Sequence, residues 1–321
     1  MSFQKALRQQ AKLRLALTGP SGSGKTYSAL LIAQGLAPGG RIALIDTERG
    51  SGELYAHLAD YDVATFAPPF TPERYAQFIR EAETGGYDVL IIDSLSHEWA
   101  GTGGILDRYE LVAATKSNKF SVWAELTPQH NALLDALLRA DLHVIVTLRT
   151  KTAYEIREED GKKKPVKLGL APVQRDGIEY EFTLVLDLAV DQHVATVSKD
   201  RTQLFDGRYF VPSRETGATL REWLASGLDA AALSQERLNA LRTHVDGITN
   251  LPHLENWWRA HKAEIEALRP ADQEALTAHC ASRKAAILQE RSAAPARAPG
   301  GDGKTRRRKT PAPVEAPAPA A

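Results

Sequence analysis

The chain of 321 residues has one cysteine, Cys280, so no internal disulfide can form. A lone helix cysteine fits a reducing compartment better than a catalytic thiol. No apolar stretch approaches the ~18 uninterrupted residues that a membrane helix requires. Residues 1–12 also lack the apolar core of a signal peptide. Lys plus Arg number 40, and so do Asp plus Glu, which leaves no net charge. Without an overall field to attract nucleic acid, any such contact has to come from local patches. These absences predict a soluble, cytoplasmic protein that makes no membrane contact. The composition, 43% hydrophobic and 25% charged, is enough for one α/β core and a smaller unit.

Near the start, Gly19-Pro20-Ser21-Gly22-Ser23-Gly24-Lys25-Thr26 matches G-x-x-x-x-G-K-[ST] at every fixed position. The flanks agree: Leu13 to Thr18 reads as a buried strand, and Tyr27 to Leu36 as a helix that starts at the lysine. In that order, loop N–H groups and a helix N-terminus together form a cradle for anions. The glycines let the backbone wrap closely round phosphates, Lys25 reaches the β- and γ-phosphates, and the Thr26 hydroxyl binds Mg²⁺. ATP and Mg²⁺ are therefore the expected substrate and metal.

Two further apolar runs end in acids. Arg41 to Asp46 leads into Thr47 and Glu48, and Tyr87 to Ile92 leads into Asp93 and Ser94. Ligands of open α/β sheets bind outside the carboxyl ends of the strands, so these acids are expected to face the phosphate loop. Asp93 is the natural acid for the Mg²⁺ shell. Glu48 and Glu98 compete for the role of polarising the attacking water, and Asp46 reads as a strand-end residue.

Four regions follow one another along the chain. Residues 1–12 read as a short polar helix, and 13–225 as a core of alternating strands and helices, expected to form a mainly parallel sheet. The strand–turn–strand pattern from Tyr180 onward suggests antiparallel additions at one edge. Residues 226–291 read as three helices, marked by Leu238, Leu241, Val245 and Ile248, then Trp257, Trp258, Ile265 and Leu268, then Leu276, Cys280 and Ile287. The adjacent tryptophans favour packing over base stacking. Residues 292–321 are Ala/Pro-rich and read as disordered, with five cations among Lys304 to Lys309 that suit either a phosphate backbone or a solvated tail.

Two stretches of the core read as loops. Residues 100–127 carry Gly101, Gly103, Gly104, Lys116, Lys119, Phe120 and Trp123. Residues 149–175 include an expected hairpin turning at Asp160-Gly161, with Lys162, Lys163, Lys164 and Lys167 on its second arm. Lysines with interleaved aromatics suit single-stranded DNA, because cations follow the backbone while rings stack on bases. A charge-balanced surface hairpin is the alternative, since Glu155, Glu158, Glu159 and Asp160 offset the lysines.

The runs "TGPSGSGKTYSAL", "LIDTERGS", "LIIDSLSHEW", "TLRTKTAYEI", "KLGLAPVQRDGIEYEF" and "SKDRTQLFDGRYF" resemble the phage-encoded RecA-like ATPases that include Sak-type single-strand annealing recombinases. They span about two-thirds of the chain. The resemblance implies a RecA-like P-loop fold and an ATPase acting on single-stranded DNA in recombination or annealing, in the cytoplasm of a bacterium or a phage-infected host. It implies a ring or filament of identical subunits, with a single-strand-binding or replication protein as a further partner. It favours Glu48 over Glu98, and puts the two DNA loops after the third and fourth core strands. At the fourth strand's tip, where RecA has a glutamine that senses the γ-phosphate, this chain has Thr147, followed by Arg149 and Lys151. Lys199 and Arg201 read from the residues alone as part of a solvated turn; the resemblance makes them cations that reach a neighbour's γ-phosphate. Two alternatives stay open: a nucleotide-gated loader or scaffold for a replication protein, and a ring helicase-type motor, for which no primase, nuclease or zinc module is evident.

Overall fold

The computed structural model describes residues 8–116, 118–159 and 162–293, which fall into two compact units dividing at Ala230. In the first unit the chain runs β1 (Arg14–Gly19), α1 (Lys25–Leu36), β2 (Ile42–Asp46), β3 (Asp62–Thr65), α2 (Pro72–Thr84) and β4 (Val89–Asp93). There follow α3 (Ser96–Ala100), α4 (Ile105–Ala113), α5 (Phe120–Arg139), β5 (His143–Glu159), β6 (Lys162–Pro172), β7 (Leu184–Leu188), β8 (Ala195–Asp200) and α6 (Arg214–Ala225). Single 3₁₀ turns lie at Ser51–Tyr55 and Ile178–Glu181.

The sheet order is β3-β2-β4-β5-β1-β7-β8, with β6 pairing on the extension of β5. All neighbours along that order are parallel except β7 and β8. Every residue of β1 and β4 is buried, as expected where helices cover both faces of a parallel sheet. Tyr75 and Ile79 of α2 with Leu133 and Leu137 of α5 fill one face. Leu30, Ile32 and Leu36 of α1 with Leu220 and Leu224 of α6 fill the other.

The expected strands β1, β2, β4 and the start of β5 are present, and four expectations need correction. β7 lies parallel to β1 in the core, so at that edge only β8 is an antiparallel addition. The stretch 100–127 is mostly helical rather than a loop: Trp123 of α5 stacks on Trp99 and Tyr109, with ring centroids 6.0 and 4.7 Å away. Residues 8–12 are extended, not helical, and Gln9 bridges to Leu228. The expected second helix of the C-terminal region is two, as described below. Residues 1–7, the Asp160-Gly161 turn and the tail from 294 onward lie outside the described residues.

Arg14 is an unusual core-strand residue, only 6% exposed. Its guanidinium donates to the carbonyls of Leu142 at 2.8 Å, Leu138 at 3.0 Å and Ala140 at 2.5 Å. The last carbonyls of a helix have no partner within it. A cation there satisfies them and opposes the negative end of the helix dipole. Burial holds the Arg14 guanidinium down at about 10. Arg14 thus fixes the end of α5 against the start of β5.

The second unit comprises α7 (Ala230–Asp246), α8 (Leu251–Ala260), α9 (Lys262–Glu266) and α10 (Pro270–Ala293). The segment containing Trp257 and Ile265 is divided at His261 into α8 and α9. Leu238, Leu241, Ile265, Leu268 and Leu276 form its core, and Trp257 and Trp258 pack against them.

The helix that opens at the phosphate loop is set by a backbone contact. A Cβ at Gly35 of α1 would lie 1.8 Å from the Arg214 carbonyl, and one at Gly217 of α6 would lie 2.1 Å from the Ile32 carbonyl. Both neighbours are main chain and cannot rotate away, so α1 and α6 cross with no room for a methyl group. Gly217→Ala is expected to destabilise the first unit by about 1–3 kcal/mol through overpacking. A lowered urea midpoint with unchanged m-value would register it.

Candidate active site

β1 ends at the first glycine of the loop, and α1 starts at Lys25. Gly22 and Gly24 have φ of 78° and 85°, in the left-handed region where a side chain is strained. That curvature turns the loop back over the helix N-terminus and its free N–H groups. Lys25 Nζ donates to the Pro20 carbonyl at 2.8 Å. Burial lowers the Lys25 pKa, Asp93 and Glu48 act to raise it, and Arg149 acts to lower it. Ser23 Oγ is buried without a hydrogen-bond partner inside the loop.

Asp93, at the tip of β4, is 3% exposed. Thr26 Oγ1 of α1 donates to Oδ2 at 2.5 Å, and Thr147 Oγ1 of β5 donates to Oδ1 at 2.5 Å. One carboxylate therefore joins the loop helix to two central strands. Burial raises its pKa, while the hydroxyls of Thr147 and Thr26 act to lower it. These oxygen donors suit a hard divalent cation. Among the described residues no group of three or more His, Cys, Asp or Glu could hold a metal. Thr26 and Asp93 would thus hold Mg²⁺ together with phosphate oxygens and water, as is usual for this ion.

The tip of β2 separates two acids by function. Asp46 is fully buried and accepts from the backbone N–H of Glu48 at 2.5 Å and of Gly52 at 3.0 Å. It shapes the turn. Glu48, released by that turn, forms a bidentate pair with Arg149: Nε donates to Oε1 at 2.8 Å and Nη2 to Oε2. Thr47 accepts from the Ser94 N–H at 2.7 Å and pairs with His97 Nδ1 at 2.6 Å, which ties the tips of β2 and β4 together. The rival Glu98 is fully buried, between His130 Nδ1 and Gln174 Nε2, each 3.0 Å away. Both Glu98 oxygens are thus engaged by neighbouring side chains.

Lys199 and Arg201 lie at the end of β8, on either side of Asp200. Asp200 accepts from the N–H groups of Thr202 at 2.7 Å and Phe205 at 2.8 Å and so fixes the turn. Lys199 Nζ donates to the carbonyls of Glu179 and Tyr180, at 2.9 and 2.5 Å, and Arg201 to Tyr180 at 2.8 Å. Within the chain, neither cation is bonded to the phosphate loop. In the β5–β6 hairpin, Lys162, Lys163, Lys164 and Lys167 stand in register opposite Glu159, Glu158, Arg157 and Tyr154.

Sequence reasoning missed three features of the site. Thr147, at the position of the expected sensor, donates to Asp93, a partner its sequence position does not announce. Arg149 reads in sequence only as the next cation along, although its spacing of two from Thr147 puts it on the same face of β5. Sequence reasoning passed over His193 altogether. In the β7–β8 connection Gln192 and His193 both have left-handed φ, 53° and 55°. The exposed His193 ring lies against the loop, its Nδ1 3.2 Å from where a Cβ of Gly24 would be.

A parallel sheet of this order, with a glycine-rich loop leading into α1 and Asp93 beneath it, defines a P-loop nucleotide-binding protein. A family model described as an AAA domain matches residues 11–216, more than half of the chain. The chain belongs to that AAA-domain family. No curated protein matches it. No helix among the described residues is long and apolar enough to cross a membrane.

The burial of Asp93 has a measurable consequence. A carboxyl whose pKa is raised by folding contributes stability below its unfolded value and loses it as pH rises through the folded value. Ionising Asp93 in the nucleotide-free fold therefore costs stability, and a bound cation would offset that cost. Asp93→Asn is expected to raise the urea midpoint of the nucleotide-free protein at neutral pH, with the gain vanishing below the usual carboxylate range. Mg²⁺ and ATP together should then no longer raise the midpoint further, whereas they do for wild type.

Proposed function

We propose that this AAA-domain protein hydrolyses ATP and acts on single-stranded DNA as a homo-oligomer, in strand annealing or recombination. The observation that carries the proposal is the path of β5. The strand bonds Asp93 through Thr147, bonds Glu48 through Arg149, and continues without a break into the lysine-bearing hairpin. Chemistry and hairpin thus share one strand.

In the proposed reaction the loop N–H groups and Lys25 take the phosphate charge and hold the γ-phosphate for in-line attack. Bound Mg²⁺ would neutralise charge developing on the phosphate oxygens. Water forms the new bond to phosphorus as the bond to the β-phosphate oxygen breaks, and Glu48 takes the water's proton. Lys199 and Arg201 are proposed to leave the carbonyls of Glu179 and Tyr180 and meet the γ-phosphate of an adjacent subunit, making turnover depend on assembly. A single-strand-binding or replication protein is a further proposed partner.

A second reading, a nucleotide-gated loader or scaffold with little DNA contact, is favoured by the hairpin register. The backbone register sets Glu159 opposite Lys162 and Glu158 opposite Lys163, acids facing lysines in sequence. Arg157 opposite Lys164 and Tyr154 opposite Lys167 supply the combination of cations and an aromatic that suits a single strand.

Two measurements test the proposal. Lys25→Ala should abolish ATP binding, whereas Glu48→Gln should bind ATP and lose most turnover, because an amide cannot accept the proton. If Glu48→Gln hydrolyses ATP at the wild-type rate, the assignment of Glu48 is wrong. For DNA, log affinity should fall with log salt by about 0.7 per phosphate contact. Replacing Lys162, Lys163 and Lys164 together by alanine should weaken single-strand binding and flatten that slope by up to ~2 units, with little sequence dependence. Deletion of residues 292–321 is the control for the basic tail. Negligible wild-type binding at moderate salt would favour the loader reading.

A further inference from the structure

The connection from β7 to β8 runs along one side of the phosphate loop. Thr18, just before the loop's first glycine, donates through Oγ1 to Asp187, its register partner on β7. One residue on, a Cβ at Gly19 would lie 2.7 Å from the Leu188 carbonyl. The chain then turns back through Gln192 and His193, both with left-handed φ. The Val194 N–H donates to the Asp191 carbonyl at 3.4 Å, and the Ala189 N–H to the Val194 carbonyl at 2.9 Å. Positive φ at both central residues is the pattern of a type I′ turn, which favours Asn and Gly there. Glutamine and histidine are strained in it.

This turn delivers something that Asn-Gly could not, an imidazole at the loop. His193 Nδ1, Cγ and Cβ stand 3.2, 3.4 and 3.6 Å from where a Cβ of Gly24 would be. Gly24 caps α1, and in a loop of this type the N–H groups at that point cradle the α- and β-phosphates. His193 is exposed, and among the described residues neither ring nitrogen has a hydrogen-bond partner. Inside the same loop Ser23 Oγ is buried without one. An imidazole has at least one N–H to donate, whether neutral or charged. Given to a phosphate oxygen, that bond is charge-assisted.

We infer that His193 is a further nucleotide-binding residue, which donates a ring N–H to the α- or β-phosphate from beside Gly24, and that the strained turn places the ring for it. This rests on the reading of residues 19–26 as the ATP site. Lys25 serves the β- and γ-phosphates, so His193 should contribute equally to ATP and ADP.

The test is the affinity of the full chain for ATP, ADP and inorganic tripolyphosphate, each with Mg²⁺, alongside urea midpoints without ligand. The variants are His193→Ala, His193→Gln, His193→Gly, Gln192→Gly and Lys25→Ala. His193→Ala should weaken all three ligands alike by about three- to tenfold, the factor one charge-assisted hydrogen bond carries at an exposed position. His193→Gln keeps an N–H donor and should recover part of that loss. His193→Gly should bind as weakly as His193→Ala and yet raise the urea midpoint, because glycine takes a left-handed φ without strain. Gln192→Gly relieves the neighbouring strain and keeps the ring, so its midpoint should rise with affinity unchanged. Wild-type affinity in His193→Ala and His193→Gly would overturn the assignment. Weaker ATP and ADP with unchanged tripolyphosphate would overturn the phosphate contact, because the ring would then meet ribose or base. A loss in Gln192→Gly equal to that in His193→Ala would also overturn it, since the turn would then act by shaping the loop. If Lys25→Ala binds ATP as wild type does, the reading of the loop falls and takes His193 with it; if Lys25→Ala fails to bind and His193→Ala binds normally, only the role of His193 falls.

Discussion

Asp93 brings together segments that are far apart in the chain. Its two oxygens accept from Thr26 at the start of α1 and from Thr147 in β5, and both distances are 2.5 Å. A buried ionised carboxylate is costly unless its lone pairs are satisfied. The requirement to satisfy them brings the loop helix, β4 and β5 into one arrangement. Thr47 adds β2 by bonding the backbone that follows Asp93. The relative heights of β2, β4 and β5 at their carboxyl ends, and of α1 at its N-terminus, are therefore set around one charge, and the phosphate loop is set with them.

This dependence explains why the acids of the site do different work although each follows an apolar run. Asp46 uses its oxygens on its own turn, Asp93 on two hydroxyls, and Glu98 on His130 and Gln174. Glu48 has the most solvent access of the four and meets a mobile type of partner, a guanidinium on a long stem.

Much of this was legible in the sequence, for physical reasons that also mark where legibility stops. The phosphate loop and the cores of β1, β2 and β4 are readable because fully buried strands leave continuous apolar runs, and strand-end acids mark the ends of β2 and β4. β3 escaped because Asp62–Thr65 is short and half-exposed, so it carries no such run. The stretch 100–127, which holds α4 and the start of α5, reads as a loop in sequence, since Gly101, Gly103 and Gly104 open it. Yet Val122, Leu126, Leu133 and Leu137 recur at helical spacing once that stretch is passed. The parallel placement of β7 beside β1 is a matter of which distant strand it meets, and its own residues read the same either way. The pairing of Glu48 with Arg149 is hidden for the same reason: it spans 101 residues and depends on the sheet order.

The crossing of α1 and α6 through Gly35 and Gly217 bears on mechanics as well as on packing. Helices separated by side chains can slide by rotamer changes, but two backbones in direct contact have little compliance. A tilt of the phosphate-loop helix is then passed to α6 as rigid-body motion, with little lost in repacking. α6 is the last helix before the division at Ala230, so the chain leaves the first unit from an element geared to the nucleotide site.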